Sequence, residues 1–194
     1  MSWFSDIYGF EESTYARTQA KFCIDGPLLH TRGQSSRTFH AGILTMPSLA
    51  ELRKAVCSLE VSGGERIKLS SLVADAYELH RWPEANRAII QVASQFNLLE
   101  MPNEHTTPEK GITNYQYDYT QGPSCAMACA AATVFRNYLV PVGSQRGQTQ
   151  TCQLNALADM DRAIGIGGIR MQNGYALLQP DTVLAISKHI EAMV

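Results

Sequence analysis

Apolar and polar positions alternate along FCIDGPLLHT and again along RTFHAGILTM, with the turn-forming RGQSS between them, so this region reads as a hairpin that exposes Arg32 and Arg37. Pro47-Ser48-Leu49-Ala50-Glu51 then carries a Ser-x-x-Glu capping box, and Leu49, Leu52 and Val56 share one helical face, which predicts a helix ending near Val61-Ser62-Gly63-Gly64. Beyond it the pattern becomes strand, break, strand: RIKLSSLVADAYELH, the turn-like Arg81-Trp82-Pro83-Glu84, and the apolar run Ala88-Ile89-Ile90-Gln91-Val92-Ala93. An uninterrupted apolar run bounded by turn signals fits a strand buried on both faces, the centre of a sheet.

Residues 102–124 are rich in Pro, Gly, Asn, Thr and Tyr and hold no period. A loop of that length in a compact domain is usually kept for a use. It feeds into a segment with apolar residues at positions 125, 128, 129, 132, 135 and 139, the spacing of a helix that starts near Ser124. After the polar linker GSQRGQTQTCQ, the spacing predicts a helix over 155–164 and a short strand over 168–171. The turn Gln172-Asn173-Gly174-Tyr175 follows, and then a last helix with Pro180 in its first turn and Val183, Ile186 and Ile190 on one face. Strands alternating with helices place the chain in the α/β class.

At 194 residues a single domain is expected, with residues 1–62 as an N-terminal hairpin and helix added to a core over 63–194. Hydrophobic residues at 45% and charged residues at 18% are globular usage, which excludes a disordered scaffold. Sixteen Lys+Arg against eighteen Asp+Glu give a formal charge of −2, and no basic stripe advertises nucleic acid. The start, MSWFSDIYGFEEST, has no basic leader, and no stretch reaches the about 18 apolar residues of a spanning helix, so a cytoplasmic protein without a membrane is expected. Five cysteines, an odd count without the paired short spacings of a zinc site, read as reduced thiols. The histidines are scattered without metal-ligand spacing, so neither a metal nor a cofactor is expected.

Two strand-to-loop-to-helix transitions, at residues 88–130 and 168–189, are the most informative feature. In open α/β sheets ligands lie beyond the carboxyl ends of strands, and helix N-termini offer free N–H groups to phosphate. Within 64–134 a strand ends at Asp75 in LSSLVADAYEL, and a buried strand reads Ala88-Ile89-Ile90-Gln91-Val92-Ala93-Ser94 where many macrodomains read A-I-V-N-A-A-N. Ile90-Gln91-Val92-Ala93-Ser94-Gln95-Phe96-Asn97 is closer to the L-N-F-A-S-A-x-N of bacterial poly(ADP-ribose) glycohydrolases. Those enzymes enter their helix through Q-E-E, and this chain enters through Gln121-Gly122-Pro123. Asn173-Gly174-Tyr175-Ala176 resembles the second macrodomain phosphate loop, often S-x-G-v-y-G-y-P. On these motifs, spread over a little more than half the chain, the sequence resembles the macrodomain and poly(ADP-ribose) glycohydrolase family.

The resemblance implies a macrodomain-like mixed sheet flanked by helices and a site for ADP-ribose, free or attached to a macromolecule, or for a related nucleotide diphosphate sugar. It places Asp75 at an adenine amine or a backbone turn, and Gln91, Ser94, Gln95 and Asn97 at the distal ribose hydroxyls. Thr120, Gln121, Gly122, Pro123, Ser124 and Cys125 would meet one phosphate, and Asn173, Gly174 and Tyr175 the other. Two departures stand out: Leu98-Leu99-Glu100-Met101 replaces the family's glycine triplet, and Gly122 and Pro123 replace the Q-E-E carboxylates. Cutting an ADP-ribosyl bond needs a carboxylate at the anomeric carbon, and here Asp118 and Glu100 are the candidates. Without such a carboxylate the resemblance implies a non-catalytic reader of ADP-ribose.

Each of these residues also has a plainer reading. Asp75 suits a turn-stabilising Asx residue, Gln95 and Asn97 suit side chains that satisfy loop backbone, and Asp118 and Glu100 suit solvated loop acids. Asn173-Gly174 is an ordinary hairpin signal. A rival chemistry makes Cys125, at a helix N-terminus after Gln121, the nucleophile of a cysteine hydrolase, although its place on an apolar stripe suits core packing.

Overall fold

The computed structural model describes residues 1–33, 36–58, 68–71, 73, 78, 82–88, 94–117, 128–165, 169–177 and 179–191. The chain forms two units, Met1–Leu44 with Ile90–Val194, and Thr45–Ile89.

In the larger unit two short helices open the chain, α1 (Trp3–Tyr8) and α2 (Tyr15–Ala20). The Ser2 hydroxyl caps α1 by accepting from the Ser5 N–H, and Gly9 ends it in the left-handed region at φ 81°. Strands β1 (Phe22–Asp25), β2 (Leu28–Thr31) and β3 (Thr38–His40) follow in an antiparallel sheet of order β1-β2-β3. The hairpin expected around RGQSS is thus the β2–β3 pair, with His30 opposite Thr38. The alternating pattern did not announce that FCIDGPLLHT itself folds back, pairing Asp25 with Leu28 across a two-residue loop.

These first residues are not a peripheral layer. Trp3, Phe4, Tyr8, Phe22 and Leu29 are buried, with the Tyr8 ring tilted against Phe4 at 4.7 Å, edge-on to Phe22 at 5.1 Å and edge-on to Phe39 at 5.1 Å between ring centroids. The same cluster takes in Leu99, Met101, Ile112, Tyr115, Val134, Tyr138 and Leu139. Aromatic side chains bury the most apolar surface per residue, so the core is centred on the segment that the pattern placed outside it.

Residues 102–117 are not structureless. Two 3₁₀ turns, Pro108–Lys110 and Thr113–Tyr117, carry Ile112 and Tyr115 inward. A carboxylate from the other end of the unit holds this segment: Glu12 accepts from the Ile112 N–H at 2.9 Å, the Thr113 N–H at 2.8 Å, the Thr113 hydroxyl at 2.6 Å and the Tyr138 hydroxyl. A Cβ on Gly111 would strike that carboxylate.

Of the helix expected from Ser124, the described part is α4 (Ala130–Val134), which runs into a π-helical turn over Phe135–Leu139. The supposed polar linker, residues 143–153, supplies the two-residue turn and second strand of a hairpin of β4 (Pro141–Val142) and β5 (Gln145–Arg146), and then the fully buried Gln148. Then come α5 (Ala158–Ile164), β6 (Arg170–Gln172), β7 (Tyr175–Leu177) and α6 (Pro180–Glu191). The step from strand through loop to helix expected over 168–189 is instead a hairpin followed by a helix. Gln172 pairs with Tyr175, and Asn173 and Gly174 have φ of 46° and 84°, the two positive angles of a type I′ turn.

The smaller unit carries α3 (Leu49–Cys57). Its capping box forms as expected, Glu51 N–H to the Ser48 hydroxyl and Ser48 N–H to the Glu51 carboxylate. Leu49, Leu52 and Val56 are exposed. A 3₁₀ turn at Pro83–Ala85 falls on the segment read as a break, Arg81–Glu84.

The architecture is therefore a mixture of helices and small sheets, and every strand pair among the described residues is antiparallel. The run 89–93, expected as a central strand, lies outside the described residues. No helix among the described residues is long and apolar enough to cross a membrane.

Candidate functional site

Residues 94–101 fold as a tight loop. Leu98 N–H donates to the Gln95 carbonyl at 2.8 Å, Gln95 N–H to the Leu99 carbonyl at 3.1 Å, and Leu99 N–H to the Asn97 side-chain oxygen at 3.1 Å. That last bond is an Asx turn, the local chemistry that suits Asn here. Leu98 takes a φ of 63°, a conformation that a leucine adopts only when its surroundings fix it. One surrounding group is Arg136, whose Nε donates to the Leu98 carbonyl at 2.8 Å.

The loop is locked to the β6–β7 turn. Phe96 N–H donates to the Gly174 carbonyl at 2.8 Å, and the Phe96 carbonyl accepts from Ala156 N–H at 2.8 Å. Gly174 lies so close that a Cβ there would meet the Asn97 side-chain oxygen and the Gln95 Cβ. The Gln95 amide clamps Met101 by accepting from its N–H at 2.9 Å and donating to its carbonyl at 3.1 Å, and the Tyr175 hydroxyl donates to the same carbonyl at 2.6 Å.

A relay of amides continues from there. Asn97 Nδ2 donates to Gln153 at 3.0 Å, Gln153 Nε2 to the Asn173 side-chain oxygen at 3.0 Å, and Asn173 Nδ2 to the Glu104 carbonyl at 2.7 Å. Beneath it Gln148 donates to the carbonyls of Asn97 at 2.9 Å and Arg136 at 3.0 Å and accepts from Leu154 N–H at 2.9 Å. Buried polar side chains in a low-dielectric setting are tolerated when satisfied in this way, and they then fix a single arrangement.

Five of the residues read from the sequence thus come together: Gln95, Asn97, Asn173, Gly174 and Tyr175. The plainer reading of Gln95 and Asn97 describes what their side chains do, since both satisfy loop backbone and Asn97 is fully buried. Ser94 is exposed at the start of the loop. Glu100 is not a solvated loop acid: it is 1% exposed. A carboxylate so placed has lost its hydration, which is costly, and such placements concentrate at functional sites. Burial, then the charge of Glu100, push the neighbouring Tyr115 hydroxyl well above the usual tyrosine range. Asp75, Gln91, Asp118 and Thr120 to Cys125 lie outside the described residues.

Gln148, Gln153 and Arg136 hold the loops and went unread. The only sequence signal was GQTQTCQ itself, three glutamines in a stretch too short of charge to be an ordinary solvated linker. Among the described residues no group of three His, Cys, Asp or Glu side chains gathers as a metal site. Cys23, Cys57, Cys129 and Cys152 are free thiols.

Comparisons of the chain with protein-family models, with curated proteins and with solved structures find no match.

Proposed function

We propose that the face built by residues 94–101 and the β6–β7 turn binds ADP-ribose or a related nucleotide diphosphate sugar. The observation that carries this reading is the convergence of two segments about eighty positions apart, Gln95–Asn97 and Asn173–Tyr175, on Gly174, where no side chain fits. These are the two segments whose motifs resemble the ribose and phosphate loops of the macrodomain family. The missing Cβ at Gly174 is what lets Asn97 and Gln95 pack against the β6–β7 turn and brings the two loops together.

In this proposal Gln95, Asn97 and Asn173 are positioning residues, because their amides are spent on the protein. Ser94 and the loop backbone meet the ligand. Phe96, exposed yet pinned on both sides of its backbone, offers a stacking face. Glu100 is the carboxylate on hand should a glycosidic bond be cut, since a general base must sit within hydrogen-bond reach of its water.

Titration calorimetry of the full chain with ADP-ribose tests the proposal. The expected result is saturable binding that Gly174→Ala abolishes and that Ser94→Ala and Phe96→Ala weaken. No heat with ADP-ribose, or heat unchanged in Gly174→Ala, overturns it. Release of ADP-ribose from ADP-ribosylated protein that Glu100→Gln abolishes would make the chain a hydrolase, and binding without release would make it a reader.

A further inference from the structure

Three cations meet at one end of the three-stranded sheet. The Arg32 N–H donates to the Lys21 carbonyl at 2.7 Å, extending the β1–β2 ladder by one step and placing these two residues side by side. Thr31 N–H donates to the Arg37 carbonyl at 2.9 Å, and Arg37 N–H returns a bond to the Thr31 hydroxyl at 2.8 Å, which brings the third cation to the same end. Like charges set across neighbouring strands repel. Among the described residues no carboxylate pairs with any of the three. In a chain whose formal net charge is −2, this is a local exception.

Two of the cations are held in place. Lys21 Nζ sits 4.4 Å from the centroid of the Phe10 ring, a cation–π contact. Arg37 Nη1 donates to the Ile7 carbonyl at 2.6 Å and the Asp6 carbonyl at 3.2 Å, at the end of α1, so both of its N–H groups are used. The Nε and Nη2 side of the guanidinium, the fork that grips a phosphate with two parallel bonds, makes no bond to the described protein.

Lys21, Arg32 and Arg37 line one cavity of about 300 Å³ together with Thr31 and Tyr8. That volume is at the small end of the about 300–1,000 Å³ typical of small-molecule sites. Tyr8 adds a buried hydroxyl with no hydrogen-bond partner. Burial, then the charge of Glu12, push its ionisation upward, so it remains a donor.

We propose that this cavity is a binding site for a small phosphate-bearing anion, gripped by Lys21, Arg32 and the free fork of Arg37. It shares no residue with the face assigned to ADP-ribose.

The test is titration of the full chain with sodium phosphate and with glucose 6-phosphate, against sodium chloride at matched ionic strength. Saturable binding is expected, weakened about tenfold in Lys21→Gln and again in Arg32→Gln, the loss of one charge-assisted bond each. Both side chains are exposed, so the variants keep their fold, which circular dichroism checks. Arg53→Gln, an exposed charge removed from α3, leaves the affinity unchanged. Tighter binding of glucose 6-phosphate assigns the cavity to a phosphate monoester, and equal binding assigns it to free phosphate; each supports the site. Binding no stronger than that of chloride, or an affinity unchanged in the Lys21→Gln/Arg32→Gln double variant, overturns it. ADP-ribose binding that survives in the double variant separates the two proposals.

Discussion

The side-chain nitrogen of Gln148 donates to the carbonyl oxygen of Asn97 at 2.9 Å, tying the 94–101 loop to a segment fifty-one positions away. The same side chain also serves Arg136 and Leu154, so three backbone groups depend on it. Gln148→Leu keeps the volume and removes all three partners. The expected loss is about 2–4 kcal/mol, because each orphaned buried group costs its desolvation. Urea unfolding measures it as a lower midpoint at unchanged slope.

Gly174 turns the β6–β7 hairpin with φ of 84° and abuts Asn97. Gly174→Ala is therefore strained twice, by the angle and by the clash, and should cost about 2 kcal/mol or more. The control is Gly165→Ala, which shares the positive φ at 72° but has open space where the Cβ would go. A thermal melt in which Gly174→Ala loses no more than Gly165→Ala would show that the contact with Asn97 is slack.

Glu12 joins the start of the chain to the 112–113 turn and to Tyr138 through its carboxylate. Glu12→Gln puts an NH₂ donor where a carboxylate oxygen accepts from N–H and O–H groups. About 2–3 kcal/mol of destabilisation is expected, the range of a hydrogen bond to a charged group. If the loss were confined to the packing of α1 and α2, with the core intact, Trp3 fluorescence would shift without a change in the main unfolding transition.

Tyr8 carries a buried hydroxyl without a partner. Removing such a group leaves no acceptor unpaired, so Tyr8→Phe is expected to keep or raise stability while most aromatic-core substitutions lower it. Chemical denaturation beside Phe22→Leu, which opens a void, gives the comparison.

Alkaline pH should unfold the protein through its tyrosines. Burial raises the ionisation of Tyr8, Tyr115 and Tyr138, with the charge of Glu12 second for Tyr8 and Tyr138 and that of Glu100 second for Tyr115. Their folded pKa values lie above the unfolded value of about 10, so the stability they contribute is intact below that pH and is lost progressively as pH climbs above it toward the folded values. Unfolding midpoints are expected to fall from about pH 10 upward, less steeply in Tyr115→Phe. Tyrosinate absorbance rising well before unfolding would contradict this.

Much of the local structure was legible in the sequence. The Ser48–Glu51 capping box, the helix after Pro180 and the Asn173-Gly174 turn depend on groups within a few residues of one another, and such bonds form wherever the residues stand in that order. Gln95 and Asn97 were singled out as polar residues in a loop, and their proximity to Asn173 and Tyr175 is set by the tertiary structure.

What the sequence by itself determined, then, is the set of short-range elements and the mixture of helix and strand. Tertiary structure alone decided that Trp3, Phe4 and Tyr8 lie in the core rather than on an added layer, that Glu100 is buried rather than solvated, and that Gln148 and Gln153 are structural partners of Asn97. The physical reason is range. Caps and turns are satisfied by neighbours in the chain, whereas burial and the pairing of a buried amide depend on which distant segments share the same space, and apolar spacing does not record that.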